Sequence, residues 1–175
     1  MIRAALACSL LLSTAPALAA LAPGAAAPDF STQGALAGKP FSFSLKQALK
    51  KGPVVLYFFP AAFTPGCTVE AHEFAEATPE FNKLGATVIG MSADPVDKLQ
   101  KFSVEECRNK FAVATATPAV VQGYDVALAT KPGLTNRTSY VIAPDGKIVF
   151  AYTAMSPEGH VSGTMDAVKK WKAKK

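Results

Sequence analysis

The sequence is poor in charged side chains, in cysteine and in internal repetition. Charged residues make up 18% of its 175 residues and apolar residues 50%, a balance that excludes an intrinsically disordered chain. No internal repeat and no composition shift that would mark a second domain is visible, and an Ala/Pro/Gly-rich lead-in is the only biased segment after the N-terminus. The length therefore predicts one domain with a sizeable core.

A basic face on the body of the chain is also missing. The formal net charge is +5, but residues 169–175 alone contain five lysines and no acid, so the remainder is formally neutral. Nucleic-acid binding requires a basic patch on the fold itself, and we expect no nucleic-acid partner. The terminal lysines suit the negative pole of a closing helix.

A long apolar run occurs only at the N-terminus. Residues 1–19 contain Arg3, an apolar stretch over residues 4–12 and the small-x-small sequence Ala-Leu-Ala at residues 17–19. This pattern is typical of a cleaved secretory signal peptide and is too short for a membrane span, although a retained anchor helix is the alternative. We expect a mature domain of residues 20–175, exported to the periplasm and without stable membrane association.

Strand and helix patterns alternate along the rest of the chain, which predicts an α/β layer architecture with a mixed sheet. The predicted strands are 41–45, 54–59, 86–91, 138–142 and 148–152, and the predicted helices are 67–84, 94 to about 109, and 160–171. Asp94 is the expected N-cap of the second helix, with Pro95 at its first position. Residues 21–39 are expected to form an extended lead-in, and residues 113–135 show no clear pattern.

Cys67 lies where the buried strand 54–59 passes through a loop into a helix. In the first helical turn, free N–H groups and the positive end of the dipole stabilise a thiolate. Thr64 places a hydroxyl three residues before the sulfur, and Gly66 allows the backbone a close approach. This arrangement favours a nucleophile in a shallow pocket for a small, oxygen-containing substrate.

Pro60, Thr64 and Cys67 form the motif P-x-x-x-T-x-x-C, which resembles the active-site motif of peroxiredoxins. The segment around it resembles the bacterioferritin-comigratory-protein or peroxiredoxin-Q group of the AhpC/TSA superfamily. Residues 137–148 resemble the strand that carries the family's active-site arginine, here Arg137. The resemblance spans about residues 25 to 170, and it implies a thioredoxin-like fold with a central mixed β-sheet flanked by helices.

The resemblance also implies a thiol-dependent peroxidase of hydrogen peroxide or organic hydroperoxides, with a role in antioxidant defence. Cys67 would be the peroxidatic cysteine, Thr64 would bind the peroxide, and Arg137 would hold the thiolate and polarise the O–O bond. Pro60 would shield the sulfur and Glu70 would orient the arginine or the loop. No cofactor or metal is implied. The expected partners are the peroxide and a thiol reductant such as a thioredoxin- or glutaredoxin-like protein.

The resolving cysteine departs from the pattern of many members of this group. They carry a second cysteine five positions after the first, where this chain has His72. After export only Cys107 remains as a candidate resolving cysteine, and a buried core thiol or a permanent disulfide with Cys67 are the alternatives. His72 is expected on the polar face of its helix. His160 is expected near a helix start, as a surface or capping residue. A monomer and a dimer both remain open.

Other functions fit the sequence less well. An exported thioredoxin-like thiol-disulfide oxidoreductase is the main alternative, but that chemistry uses C-x-x-C, and neither side of Cys67 supplies it. A module with a structural disulfide leaves the combination of Thr64, Cys67 and Arg137 unexplained. A zinc site built from the cysteines and histidines matches no ligand spacing.

Overall fold

The computed structural model describes residues 20–175, so the predicted signal peptide at residues 1–19 lies outside the described residues. The strands are β1 (Ser31–Leu36), β2 (Lys39–Ser44), β3 (Val54–Phe58), β4 (Thr87–Ser92), β5 (Ala112–Thr115), β6 (Thr138–Ile142) and β7 (Ile148–Thr153). The helices are α1 (Leu45–Leu49), α2 (Pro65–Lys83), α3 (Val96–Glu105), α4 (Pro118–Gly123) and α5 (His160–Lys172). None of these helices combines the length and apolar character needed to cross a bilayer.

The seven strands form one mixed sheet in the order β2-β1-β5-β4-β3-β6-β7. The strand β3 lies inside it, parallel to β4 and antiparallel to β6. All five of its side chains are buried, as expected for a strand covered on both faces. The predicted α/β class with a mixed central sheet is confirmed.

Alternate side chains of β3 enter two separate cores. Tyr57 packs with Phe74 of α2, Leu99 of α3 and Val168 of α5 on one face of the sheet. Leu56 belongs to the cluster on the other face, together with α1 and α4. The helix that carries Cys67 and the helix that precedes Cys107 therefore share one face of the sheet.

Two segments without a readable pattern contain regular structure. The predicted lead-in includes β1, which pairs with β2 on one side and β5 on the other. Non-local pairing overrides the weak strand propensity of its Gln and Gly. Residues 113–135 hold most of β5 and all of α4, whose N-cap Thr117 accepts a hydrogen bond from the amide of Val120.

The predicted boundaries of α3 were wrong at both ends. Pro95, not Asp94, is its N-cap, because the Asp94 carboxylate accepts a hydrogen bond from the amide of Ala62. The helix ends at Glu105 rather than near residue 109. Arg108 and Asn109 adopt left-handed backbone conformations, with φ of 50° and 60°, which cannot continue a right-handed helix.

Candidate active site

Cys67 is the third residue of α2 and is almost completely buried, at 1% exposure. The helix starts at Pro65, and its first turn is closed by the amide of Thr68 donating to the carbonyl of Thr64 over 2.9 Å. The amides before Thr68 have no intrahelical acceptor and point toward the helix start. The sulfur thus lies within the positive end of a 19-residue helix.

The loop before α2 is held by side chains from neighbouring strand ends. The Asp94 carboxylate, beyond β4, accepts from the amide of Ala62 over 2.7 Å and from Lys98 Nζ over 2.7 Å. The Thr135 hydroxyl donates to the carbonyl of Phe59 over 2.6 Å. Asp94 therefore braces the active-site loop instead of capping its own helix. Neither brace was predicted, because both act across the fold and leave no local sequence pattern.

Arg137 lies directly before β6 and has three partners that fix its guanidinium. Its Nη2 donates to Cys67 Sγ over 3.5 Å, its Nη1 donates to Glu70 Oε2, and its Nε donates to the carbonyl of Met155 over 3.0 Å. The residue is 3% exposed. Burial lowers the pKa of Arg137, but Glu70 and Cys67 outweigh it and raise that pKa above its ordinary value. The guanidinium is a permanent positive charge beside the sulfur.

Gly66 leaves room for this approach of the arginine. A Cβ atom at this position would lie 3.1 Å from Arg137 Nη2, closer than an ordinary van der Waals contact. The sequence indicated only that Gly66 allows the backbone a close approach to a bound group. The group that approaches it in the structure is the arginine.

Glu70 follows Cys67 by one helical turn and is fully buried. Burial raises the pKa of Glu70 to about 8, against the opposite influence of Arg137. Its Oε1 has no hydrogen-bond partner within the described residues, and His160 Nδ1 lies 3.7 Å from it. Cys67, Arg137 and Glu70 are therefore joined in one buried cluster.

Thr64 and Pro60 lie on the outer side of this cluster. The Thr64 hydroxyl donates to the carbonyl of Ala61 over 3.0 Å, which leaves its oxygen lone pairs free to accept. Its side chain is exposed and Pro60 is half-buried. Among the described residues no hydrogen bond joins Thr64 to the sulfur of Cys67. The structure therefore places Thr64 and Pro60 at the outer edge of the buried cluster, without a direct bond to the sulfur.

Cys107 lies two residues beyond the end of α3, on the same face of the sheet as Cys67. Both cysteines are buried free thiols and belong to the same apolar cluster. Burial, and then the neighbouring Glu106, raise the pKa of Cys107 well above that of an ordinary thiol. In the described conformation Cys107 is a protonated thiol without access to solvent.

Comparison with known proteins assigns the family. The AhpC/TSA family matches residues 23–151. The chain belongs to this family. A putative peroxiredoxin of Mycobacterium tuberculosis is 41% identical over 108 residues, which is 60% of this chain and 70% of that protein. Peroxiredoxin Bcp of Escherichia coli is 32% identical over 124 residues, 67% of this chain and 76% of that protein.

Solved structures agree with the sequence comparison. The crystal structure of peroxidoxin BcpB from Mycobacterium tuberculosis superposes with a TM-score of 0.75 at 32% identity, covering 85% of this chain and 96% of that one. A peroxiredoxin Q structure from Xanthomonas campestris gives 0.68 at 27% identity, covering 80% and 90%. The predicted thioredoxin-like fold and the predicted peroxiredoxin-type thiol peroxidase of the Bcp and peroxiredoxin-Q group are confirmed.

In this peroxiredoxin, a hydrogen bond and an ion pair connect the Cys107 segment to the Cys67 helix. His72 Nε2 lies 2.7 Å from Glu106 Oε2, and Arg108 Nη1 lies 3.2 Å from Glu76 Oε1. His72 and Glu76 are four residues apart on α2, and their partners flank Cys107 on either side. His72, which stands where many relatives in the group have a cysteine, thus contacts the segment that carries Cys107.

The histidines and cysteines of the described part of the peroxiredoxin lie apart from one another. Within residues 20–175 no group of three or more His, Cys, Asp or Glu side chains is arranged to hold a metal ion. His160 is the first residue of α5, near a helix start as expected, but it is fully buried and not a surface residue. Its two ring nitrogens face Ser139 and Ala154.

Proposed function

We propose that the chain is an exported peroxiredoxin that reduces hydrogen peroxide or organic hydroperoxides through a sulfenic acid on Cys67, which Cys107 then resolves. The proposal rests on one observation above all. Arg137 Nη2 contacts the Cys67 sulfur at 3.5 Å inside a buried cluster at a helix start. A permanent cation and free amides at a sulfur favour the thiolate, which is the nucleophilic form.

In the first step the Cys67 thiolate attacks one oxygen of the peroxide and the O–O bond breaks. The sulfur is oxidised to S–OH, and the leaving oxygen departs as hydroxide or alkoxide and takes a proton from water. Charge moves from the sulfur to the leaving oxygen. Arg137 presents a planar set of donors to both positions without reorganising. The free lone pairs of Thr64 accept the O–H of the peroxide, and Pro60 limits access of water to the sulfur.

In the second step Cys107, once exposed, loses its proton to water, and its thiolate attacks the sulfur of the Cys67 sulfenic acid. The S–S bond forms as the S–O bond breaks, and the hydroxide that leaves takes up a proton to become water. Cys107 is buried and protonated in the described conformation, so it must be exposed before it can react. The end of α3 and the start of α2 are helix termini, where local opening costs least. A thioredoxin- or glutaredoxin-like dithiol then reduces the disulfide by thiol exchange.

Export to the periplasm is the part of the proposal supported by sequence alone, through residues 1–19. Expression of the full chain with its N-terminus intact, followed by fractionation and intact mass measurement, tests it. A periplasmic product that begins at Ala20 supports the proposal. A cytoplasmic product that retains residues 1–19 contradicts it.

The chemical part is tested by single-turnover mixing of the reduced protein with hydrogen peroxide and with an organic hydroperoxide. The proposal expects rapid peroxide loss that Cys67→Ser abolishes. It also expects a Cys67–Cys107 linked peptide after non-reducing digestion. In Cys107→Ser, the sulfenic acid should accumulate and proceed to sulfinic acid with excess peroxide. Peroxide loss no faster than with free cysteine, together with rapid reduction of a disulfide substrate, would favour the oxidoreductase alternative.

A further inference from the structure

Two buried side-chain atoms have no hydrogen-bond partner within the described residues, Glu70 Oε1 and Tyr57 Oη. Glu70 still accepts from Arg137 through its other oxygen, whereas the hydroxyl is the only polar group of the Tyr57 side chain. Tyr57 lies on the central strand β3 and is fully buried. A hydroxyl that is buried without a partner destabilises the conformation that buries it.

Packing alone does not call for a tyrosine at this position. The aromatic rings that contact Tyr57 are those of Phe59, Phe74 and Phe111, with centroids 5.6, 4.2 and 6.0 Å away. A phenylalanine would keep all of these ring contacts. The hydroxyl end lies over Gly90 of β4, where an added Cβ would be 2.8 Å from Oη. The core thus makes room for a hydroxyl to which it offers no hydrogen bond.

The Cys107 segment, residues 106–111, borders this hydroxyl and belongs to no helix or strand. Its last residue, Phe111, packs on the Tyr57 ring, and Cys107 lies in the same apolar cluster as Tyr57. Burial, and then the neighbouring Cys107, raise the pKa of Tyr57 well above its ordinary value. The hydroxyl is therefore neutral and lies beside the segment that carries the second cysteine.

The Cys107 segment is held less firmly than the other walls around Tyr57. Phe74 and Gly90 lie inside α2 and β4, where helical and strand hydrogen bonds continue on both sides. Within the segment, the amide of Lys110 donates to the carbonyl of Cys107 in a turn, and the side-chain contacts with α2 are partly exposed. Irregular segments at helix ends open locally at low cost. Opening of this segment is thus the easiest way for water to reach Tyr57.

We propose that Tyr57 is a positioning residue for the resolution step, because its unpartnered hydroxyl favours the opening of residues 106–111 that exposes Cys107. In the closed conformation the hydroxyl receives no hydrogen bond from the protein. In the open conformation water binds it, and this hydration offsets part of the cost of exposing Phe111. The inference rests on the proposed function, in which the exposed Cys107 attacks the Cys67 sulfenic acid.

The test compares Tyr57→Phe with Tyr140→Phe, which removes the same atom from another fully buried tyrosine. Tyr140 lies on the neighbouring strand β6, and its side chain enters the core on the other face of the sheet. Its hydroxyl donates to the carbonyl of Tyr124 over 2.8 Å and accepts from the amide of Leu21 over 3.1 Å. The two variants therefore differ in whether the lost hydroxyl was hydrogen-bonded.

Stability gives the first comparison. Tyr57→Phe should raise the midpoint of urea unfolding, whereas Tyr140→Phe should lower it, because only Tyr140 loses hydrogen bonds. A lower midpoint in Tyr57→Phe would show that its hydroxyl is hydrogen-bonded in the closed conformation, and this would overturn the proposal.

The second comparison needs no peroxide. An alkylating reagent labels Cys107 of the reduced protein, and mass spectrometry of the Cys107 peptide gives the rate. A buried thiol reacts only from the open conformation, so the rate reports the opening equilibrium. Tyr57→Phe should slow the labelling about tenfold, which corresponds to about 1.4 kcal/mol, and Tyr140→Phe should not slow it. An unchanged rate in Tyr57→Phe, or a rate that rises with urea as steeply as global unfolding does, would overturn the proposal.

The third comparison follows the fate of the Cys67 sulfenic acid. A second peroxide converts it to sulfinic acid in competition with disulfide formation, so the ratio of the two products measures resolution independently of the first step. Tyr57→Phe should give equal amounts of both products at about tenfold lower peroxide than the unaltered protein, and Tyr140→Phe at the same concentration. An unchanged ratio in Tyr57→Phe would overturn the role in resolution. If the unaltered protein forms neither product, the proposed function fails, while the labelling of Cys107 still decides whether Tyr57 favours opening.

Discussion

A Cβ atom added to Gly66 would lie 3.1 Å from Nη2 of Arg137, the nitrogen that donates to the Cys67 sulfur. The φ angle of Gly66 is not positive, so the backbone conformation does not call for glycine, and the close contact a side chain would meet is the one with Arg137. The position of the guanidinium over the sulfur thus depends on the absence of one side chain in the first turn of α2.

Gly66→Ala is expected to displace Arg137 by a few tenths of an ångström and to slow the reaction of Cys67 with peroxide by about tenfold. Gly123→Ala is the matched control, because a Cβ there meets only Pro28 at ordinary van der Waals distance, 3.5 Å. Single-turnover peroxide loss measures both. A rate for Gly66→Ala equal to that of the control would show that the arginine tolerates the displacement.

Arg137→Lys is expected to reduce the rate constant with peroxide by about a hundredfold, because an ammonium cannot donate to Cys67, Glu70 and Met155 in one plane. The charge is kept, so the experiment separates charge from geometry. Arg108→Lys serves as the control, since Arg108 is a half-exposed arginine in an ion pair on the same face. Retention of most activity in Arg137→Lys would reduce the role of the guanidinium to that of a point charge.

The two side-chain contacts beside Cys107, His72 with Glu106 and Arg108 with Glu76, are expected to affect the rate of the resolution step to different extents. The His72 and Glu106 side chains are 35% and 19% exposed, whereas Arg108 and Glu76 are 46% and 72% exposed. Ion pairs stabilise more when they are less solvated. Glu106→Gln is therefore expected to speed formation of the Cys67–Cys107 disulfide by about threefold, and Glu76→Gln to change it little.

Rapid alkylation and mass spectrometry after a single addition of peroxide follow the appearance of the disulfide. The rate of peroxide loss should stay the same in both variants, because neither residue contacts Cys67 or Arg137. If Glu106→Gln forms the disulfide at the rate of the unaltered protein, the ion pair does not limit opening.

The sequence predicted the parts of the fold that local patterns determine. The continuous apolar run in β3 indicated a strand buried on both faces, and the motif from Pro60 to Cys67 located the helix start that carries the sulfur. The turn between β6 and β7 is local as well, with Gly146 at a φ of 81°, a conformation that favours glycine. In each of these cases the residues that determine the conformation are neighbours in the sequence.

The features that escaped prediction depend on contacts between distant segments. The sequence indicated Asp94 as a helix cap because it precedes a proline. Its carboxylate instead accepts a hydrogen bond from the amide of Ala62 in the active-site loop. His160 looked like a surface residue at a helix start, although α5 packs it against Glu70. No local pattern distinguishes these uses of a polar side chain from the ordinary ones.

The pH dependence of stability offers a test of the state of Glu70. Burial raises the pKa of Glu70 to about 8 in the folded protein, above the value of about 4.3 for an unfolded chain. Between these two values the folded state binds one proton more than the unfolded state. The free energy of unfolding therefore falls as pH rises through this window, by at most about 1.4 kcal/mol per pH unit from this group.

This contribution is the difference between two slopes of the free energy of unfolding against pH, one for the unaltered protein and one for Glu70→Gln. Urea unfolding at several pH values between about 5 and 8 measures both slopes. Glu70→Gln is expected to lose the downward slope, because the amide does not titrate. Glu73→Gln, which removes an exposed carboxyl from the same helix, is expected to keep it. Parallel pH curves for the unaltered protein and Glu70→Gln would mean that Arg137 keeps Glu70 ionised throughout. The sulfur would then compete for the guanidinium with a permanent carboxylate.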